Sequence, residues 1–345
     1  MNISVTDLPL ELHSPFRIAH GATTSRRNAL VQIEEGVGEA SLPPYYPHEI
    51  KDIRTYAASL ELPDLSEGIP PVWSIIDSLP GGPPPAMAAV DMALFDLLGK
   101  RIGQPLYRLL GLDPTIAPPT TITLSIPDSV RELKDRLLEL KGIRQIKLKL
   151  GSGDPDHDLE LVRTAVQHFD GSVCVDVNAG WSLDQAARLL PRLARFDLLF
   201  IEQPIASPER EEWHQLRRLL PSGIPPLIAD ESHQTAEDVV ELAGAADGIN
   251  VKLAKCGGIA AALRTIAVAR ALDMRVMLGC MIESNVAVSA AAHIASLADY
   301  LDLDASIHLA HDPFAGAQLV GDRILPGDGP GLGVERVTDP ADERG

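Results

Sequence analysis

Short apolar runs in this chain break off, one after another, on ionisable side chains. IKLKL carries Lys147 and Lys149, VCVDVN carries Asp176 and Asn178, and FIEQP carries Glu202. IADES carries Asp230 and Glu231, INVKL carries Lys252, and DLD carries Asp302 and Asp304. Side chains alternate across an extended strand. Lys147 and Lys149 therefore share one face, and Ile146, Leu148 and Leu150 the other. Asp176 and Asn178 share a face in the same way, as do Asp302 and Asp304. Taken singly, each has a bland reading: a strand-end lysine is a solvated rim residue, Asp-Glu-Ser approaches a helix cap, and Asp302 and Asp304 cap the next helix or turn. Taken together they do not. Three acids on consecutive strands converge and repel one another unless a cation sits between them. Oxygen donors alone suit Mg²⁺ or Mn²⁺ better than Zn²⁺, which prefers histidine or thiolate.

Lysines flanking such a centre suit one kind of chemistry. A proton on the carbon next to a carboxylate is very weakly acidic, because its loss makes a doubly negative enediolate. A divalent metal on the carboxylate oxygens offsets that charge. The base must be neutral near pH 7. Burial and a neighbouring cation lower a lysine's pKa, and Lys147 beside Lys149 is expected to act so. Two lysines on opposite sides of a barrel mouth reach the carbon from opposite faces. One removes the proton, the other delivers a new one, and the centre inverts. With a leaving group on the next carbon, the same first step gives elimination.

The elements that must position these groups are strands at Thr121–Ser125, Gln145–Leu150, Ser172–Val177, Leu198–Glu202, Pro226–Ala229, Gly248–Lys252, Arg275–Gly279 and Leu301–Leu303. Helical patterns lie between them at Pro155–His168, Ile259–Leu272 and Asn285–Leu297. Ser182 with Gln185, and Thr235 with Asp238, make capping-box starts for two more. Strands and crossover helices repeating about every 25 residues argue for a closed parallel barrel. Active sites of such barrels form at the C-terminal strand ends, where the ionisable residues stand. A doubly wound open sheet would need a glycine-rich turn after its first strand, and none is present. Upstream, Ile3–Leu12 and Ala29–Glu34 read as strands separated by a loop around His20–Arg27. A turn-rich, proline-rich stretch comes next. Pro80–Pro85 cannot be helix interior, Ala86–Lys100 is a strong helix, and Gly111–Thr120 reads as a linker.

Composition narrows the classes. The 345 residues are 45% hydrophobic and 23% charged, with 30 basic against 48 acidic residues and a formal charge of -18. That charge disfavours binding to nucleic-acid phosphates. No apolar run is long enough to span a bilayer, so no membrane partner is expected. The N-terminus has no signal-like pattern. Cys174, Cys256 and Cys280 are odd in number and widely spaced, which points to free thiols and a reducing, cytoplasmic setting.

On these motifs the sequence resembles the enolase superfamily, in its muconate-lactonizing-enzyme-like branch. KLK at 147–149, DVN at 176–178, EQP at 202–204, ADES at 229–232, VKLAKCGG at 251–258, GCMIES at 279–284 and the helix AAVDMALFDLLGK at 88–100 carry the resemblance. It implies a (β/α)8-type barrel over 113–311 with an α+β N-terminal capping domain over 1–112, completed by about 312–345, in a homo-oligomer. It implies one Mg²⁺ per subunit (Mn²⁺ as the alternative) on Asp176, Glu202 and Asp230, with Lys149 and Lys252 as the acid/base pair. Lys147 would assist by charge and by contact with a substrate carboxylate. Glu231 would lie near Lys252 with Lys255 beside it, and Asn178 would orient groups near the metal.

The branch includes dipeptide epimerases, o-succinylbenzoate synthases, N-succinylamino acid racemases and muconate lactonizing enzymes. The DLD run selects among them, because an Asp-x-Asp there binds a dipeptide's free α-ammonium. Two carboxylates on one face suit a cation and poorly suit an apolar or anionic acyl tail. A dipeptide epimerised at its C-terminal residue is therefore the expected small-molecule substrate. An N-acylamino acid racemase, an o-succinylbenzoate synthase or a dehydratase on the same scaffold is the alternative, and a non-catalytic binding barrel is the reading from another class. In the resemblance, epimerases acting on alanyl-glutamate carry an arginine two residues after the loop glycine. Thr23 stands there and cannot make the bidentate pair, so an uncharged or hydrophobic side chain is expected, with one of Arg26 and Arg27 facing solvent.

Overall fold

The computed structural model describes residues 3–19, 21–64, 68–206 and 210–337. It opens with strands β1 (Ile3–Ile18), β2 (Gly21–Ile33) and β3 (Gly36–Ala40), an antiparallel sheet in that order. The strand expected over Ile3–Leu12 runs on to Ile18, and Gly21–Arg27, expected as a loop, belongs to β2. Phe16 pairs with Thr23 and Ile18 with Gly21, past a register shift between Glu11 and Phe16. This outer half of the hairpin has no fully buried residue from His13 to Ile18 or from Gly21 to Arg27. No alternation of apolar and polar residues therefore marks it as strand. His20, also in the expected loop, lies outside the described residues.

The turn-rich stretch holds two helices, α1 (Ile50–Ser59) and α2 (Val72–Ser78). Helix α1 buries Ile53, Tyr56 and Ala57, and Glu49 with Asp52 closes its first turn as a capping box. Helix α3 (Pro84–Ile102) begins with two prolines, which need no N–H partner there, and stops at Gly103 in the left-handed region (φ 72°). It is buried on nearly every side, as a helix apolar all round must be. Its two aspartates tie the layers together. Asp91 accepts from Ile259 N at 2.5 Å and Ala260 N at 3.1 Å. Asp96 accepts from Val37 N at 2.9 Å and Leu332 N at 2.8 Å. Gly38 lets β3 lie against this helix, since a Cβ there would stand 2.0 Å from Ala89 O.

After a short helix α4 (Leu106–Leu109) come the barrel strands: β4 (Ile122–Leu124), β5 (Gln145–Lys149), β6 (Ser172–Asp176), β7 (Leu198–Glu202), β8 (Leu227–Ala229), β9 (Gly248–Val251), β10 (Arg275–Gly279) and β11 (Tyr300–Asp302). They form one 8-stranded sheet in sequential order, each pair parallel. A bridge from Thr120 to Leu301, with Thr121 N donating to Leu301 O at 2.9 Å, brings the first strand to the last. The fold is a (β/α)8-type barrel preceded by an α+β segment. The outer helices are α5 (Val130–Glu139), α6 (Pro155–His168), α7 (Leu183–Leu193), α8 (Arg210–Leu219), α9 (Ala236–Leu242), α10 (Leu253–Cys256), α11 (Ile259–Ala271) and α12 (Asn285–Ala292). The Ser182 and Thr235 capping boxes are both formed. The helix expected to run to Leu297 stops at Ala292, and Ala295–Leu297 is a 3-10 turn.

A last turn of helix, α13 (Ala305–His308), comes after β11. The chain then returns to its beginning. Leu309 bridges Leu12, and Leu106 N donates to Gly331 O at 2.9 Å. Cys174, Phe200, Ile228 and Met277 make a small apolar cluster of their own within the barrel strands. Among the described residues no helix is long and apolar enough to cross a membrane.

Candidate active site

The C-terminal ends of β6, β7 and β8 bring Asp176, Glu202 and Asp230 together. One oxygen from each lies within 4.8 Å of the others, and all three residues are buried. No histidine or cysteine joins this group among the described residues, so the donors are carboxylate oxygens alone. Such a set fits a hard divalent cation.

Four lysines surround it. Lys147 Nζ donates to Glu202 Oε2 at 3.1 Å and to Asp302, and lies 3.5 Å from Asp176 Oδ2. Lys149 Nζ donates to Asp176 Oδ2 at 2.5 Å. Lys252 Nζ donates to Asp230 Oδ2 at 2.7 Å. Lys255 Nζ also donates to the Asp230 carboxylate, and to the carbonyls of Asp230, His233 and Asn250. Lys255 thus rests on Asp230. Asn178 Nδ2 donates to Glu231 Oε1 at 3.2 Å, and Asn178 N donates to Asp176 Oδ1 at 2.8 Å.

The electrostatics come from this crowding. Burial pushes the Glu202 carboxyl up, and the charge of Asp176 adds to it, to about 8. Burial and the charges of Asp230 and Asp176 raise Glu231 to about 7. Burial also opposes ionisation of Asp176 and Asp230, but their lysines outweigh it and hold both below the usual carboxylate range. Lys147 and Lys252 are dominated by the surrounding acids. Burial works to lower them, yet Asp302, Glu202 and Asp176 around Lys147, and Asp230 and Glu202 around Lys252, carry both well above the usual value.

On β11, Asp302 Oδ1 accepts from Thr121 Oγ1 at 2.7 Å and Thr123 Oγ1 at 3.1 Å. Asp304 Oδ2 accepts from Thr123 N at 2.6 Å and lies 3.0 Å from His308 Nε2. Burial would raise Asp304, but the imidazole and the Thr123 N–H bring it to about 2.

A cleft of about 590 Å³ opens above these groups. Lys147, Lys149, Lys252, Asn178, Asp302 and Asp304 line it, with His308. Phe16, Ile18, Arg26, Pro43 and Tyr45 enter from the N-terminal segment. Thr23, expected to meet substrate, is not in the lining. Its Oγ1 accepts from Arg26 Nη1 and donates to Ser25 O at 2.7 Å. Arg27 faces solvent and pairs with Asp7 at 3.4 Å.

Three residues that sequence reasoning passed over shape the site. Asn250 Nδ2 donates to Glu202 Oε1 at 2.6 Å. Gln203, in the left-handed region (φ 36°), accepts from Asp230 N at 2.8 Å and Ser232 N at 3.2 Å. It sets the turn that presents Asp230. His308 holds Asp304. An asparagine inside the apolar run INV, and a histidine four residues after Asp304, were the available signals.

Residues 1–111 match the mandelate racemase / muconate lactonizing enzyme N-terminal domain, and residues 129–339 match the enolase C-terminal domain-like family. The chain belongs to the enolase superfamily. An L-Ala-D/L-Glu epimerase of Bacteroides thetaiotaomicron is 36% identical over 98% of this chain and 88% of its own length. A hydrophobic dipeptide epimerase of Roseobacter litoralis is 36% identical over 96% of this chain and 98% of its own. The dipeptide epimerase of Enterococcus faecalis, solved with Mg and L-Leu-L-Tyr, superposes with a TM-score of 0.85 at 29% identity, covering 97% of this chain and 100% of that one. This superfamily member is an isomerase of the racemase and epimerase type.

Proposed function

We propose that this enzyme is a Mg²⁺-dependent dipeptide epimerase that inverts the α-carbon of the C-terminal residue. One observation carries the reading: two pairs of strands cross in the barrel mouth. The carboxylate triad centres on β7, and Asp302 and Asp304 stand at β11, four strands further round an eight-stranded barrel. Lys149 at β5 and Lys252 at the end of β9 occupy the other diameter. A substrate with a carboxylate at one end and an ammonium at the other lies along the first diameter. Its α-carbon then lies between the lysines. Residues 1–112, joined by about 312–345, would form the cap over the barrel of 113–311, in a cytoplasmic enzyme.

Asp176, Glu202 and Asp230 would hold the ion. Bound there, it would offset the negative charge that builds on a substrate carboxylate as the neighbouring carbon loses its proton. Lys147, between Glu202 and Asp302, is placed to donate to the same substrate carboxylate. Asp302 and Asp304 accept from the α-ammonium. Lys149 Nζ or Lys252 Nζ, whichever is deprotonated, takes the α-proton from its own face, and the other ammonium returns a proton to the opposite face. N-acylation turns the α-ammonium that Asp302 and Asp304 would receive into a neutral amide.

Incubating the enzyme with L,L-dipeptides and Mg²⁺ in D₂O tests this. A mass gain of one unit at the C-terminal α-carbon, with the L,D isomer appearing, is expected. N-acylamino acids exchanging while no free dipeptide does would overturn the substrate assignment.

A further inference from the structure

The two lysines proposed to move protons are supported in different ways. Lys149 ends β5, which pairs with β4 on one side and β6 on the other. The turn after it is held by the barrel's own α6, where Asp158 accepts from Gly151 N at 3.0 Å and Ser152 N at 3.2 Å. Lys252 follows β9 and opens α10, a single helical turn that also carries Lys255. Both ammoniums converge on the Asp230 carboxylate. One turn of helix is not stable alone, so α10 takes its position from what holds its two ends. Strand β9 holds the first.

The N-terminal segment holds the second. The chain leaves α10 through Gly257 and Gly258, at φ 96° and 112°, and enters α11. A helix start leaves N–H groups without partners, and a side chain at the N-cap position ordinarily supplies an acceptor. Gly258 stands at that position and has no side chain. Asp91 of α3 fills the role instead, accepting from Ile259 N at 2.5 Å and Ala260 N at 3.1 Å. Its carboxylate is buried, and a Cβ on residue 258 would stand 2.4 Å from its Cγ, so only glycine lets the two approach. Helix α10 itself packs on α3. Asp91 belongs neither to the carboxylate triad nor to the cleft lining.

We propose that Asp91 is a positioning residue for Lys252: through the Gly257–Gly258 turn it fixes α10, and with it the place from which Lys252 reaches the α-carbon. This rests on the two-lysine epimerase reading. The N-terminal segment then sets one of the two bases, while α6 of the barrel sets the other. A base misplaced by about 1 Å loses about 10²-fold in rate, and here the loss falls on one face of the substrate.

The test is α-proton exchange in D₂O by the full-length enzyme, measured separately on L-Ala-L-X and L-Ala-D-X, with X whichever of Glu, Gln, Leu, Phe and Lys exchanges fastest. Saturating Mg²⁺ removes any effect that reaches the rate through Lys255 and Asp230 as weaker metal binding. The isomer that Lys252→Ala no longer exchanges marks the Lys252 face. In Asp91→Ala, exchange on that face should fall by about 10–100-fold while the other face stays within about threefold. Asp91→Asn keeps the shape and one acceptor, so it should lose less on the same face, and it serves as the test if Asp91→Ala does not fold. Asp96→Asn controls for general loosening of α3, because Asp96 accepts from Val37 N and Leu332 N and not from the α10–α11 turn. It should lower Tm and leave the ratio of the two faces unchanged. A ratio unmoved in every folded Asp91 variant, or moved as far by Asp96→Asn, overturns the positioning role and leaves the epimerase reading intact. Deuteration of no dipeptide by the wild type overturns both.

Discussion

Lys149 and Lys252 stand across the barrel mouth from each other, because β6, β7 and β8 separate their strands in a sheet of 8. Each is anchored by a different carboxylate, Asp176 for Lys149 and Asp230 for Lys252. The two can therefore be removed independently. Lys149→Ala and Lys252→Ala should each lower epimerisation by about 10²–10⁴-fold, the usual range for loss of a positioned acid or base. Each should keep α-proton exchange with one isomer only. Proton NMR in D₂O on L,L and L,D substrates reads both, and normal inversion by either variant would rule out two bases.

Glu202 sits between Lys147 and Asn250, with its carboxyl held at about 8 by burial and by Asp176. Glu202→Gln keeps the shape and an acceptor for Asn250 while removing the ionisable oxygen that would hold the cation. Activity should fall far more than stability. Wild-type Tm should rise with added Mg²⁺, since a ligand that binds only the native state stabilises it. The rise should be lost or much reduced in the variant. Chelation should abolish turnover and Mg²⁺ should restore it. Full turnover by verified metal-free enzyme would sink the metal assignment.

Asp304 is the cleaner probe of the ammonium end, because Asp302 also holds Lys147. Asp304→Asn should raise KM for dipeptides by about 10–100-fold, matching the 1.5–3 kcal/mol of a hydrogen bond to a charged group. N-acetylation of the substrate should cost the wild type a similar factor and the variant much less. Equal losses in both enzymes would separate Asp304 from the ammonium.

The His308–Asp304 contact makes folding stability depend on pH. Burial works to lower the His308 pKa, but the Asp304 charge and hydrogen bond carry it above 6.5. A raised pKa means the native state holds the proton more tightly. The stabilisation is thus fully present below about 6.5, the unfolded value, and is lost as pH rises through the folded value. On the acid side, Asp304 at about 2 loses its contribution as pH falls from about 4, the unfolded value. Urea unfolding of wild type and His308→Gln should differ by about 1 kcal/mol near pH 5.5 and by much less near pH 9. A gap that widened with pH would contradict the pairing.

The sequence by itself determined the barrel strands, the residues at their C-terminal ends and two capping boxes. The physical reason is contrast. Buried parallel strands are otherwise apolar, so Lys147, Asp176, Glu202, Asp230 and Lys252 stand out, and a capping box spans only a few neighbouring residues. Tertiary structure alone decided the rest. The outer hairpin carries no hydrophobic alternation, so pairing across Phe16 and Thr23, not pattern, makes it strand. Alternation left open which of Arg26 and Arg27 faces the cleft, and the hairpin's approach to the barrel mouth turned Arg26 inward. The direction of the lysine shifts was likewise out of reach, because it sums charges from β6, β7, β8 and β11. Those charges meet only after the barrel closes: in sequence the charged neighbour of Lys147 is Lys149, but in three dimensions Lys147 answers to Asp302, Glu202 and Asp176.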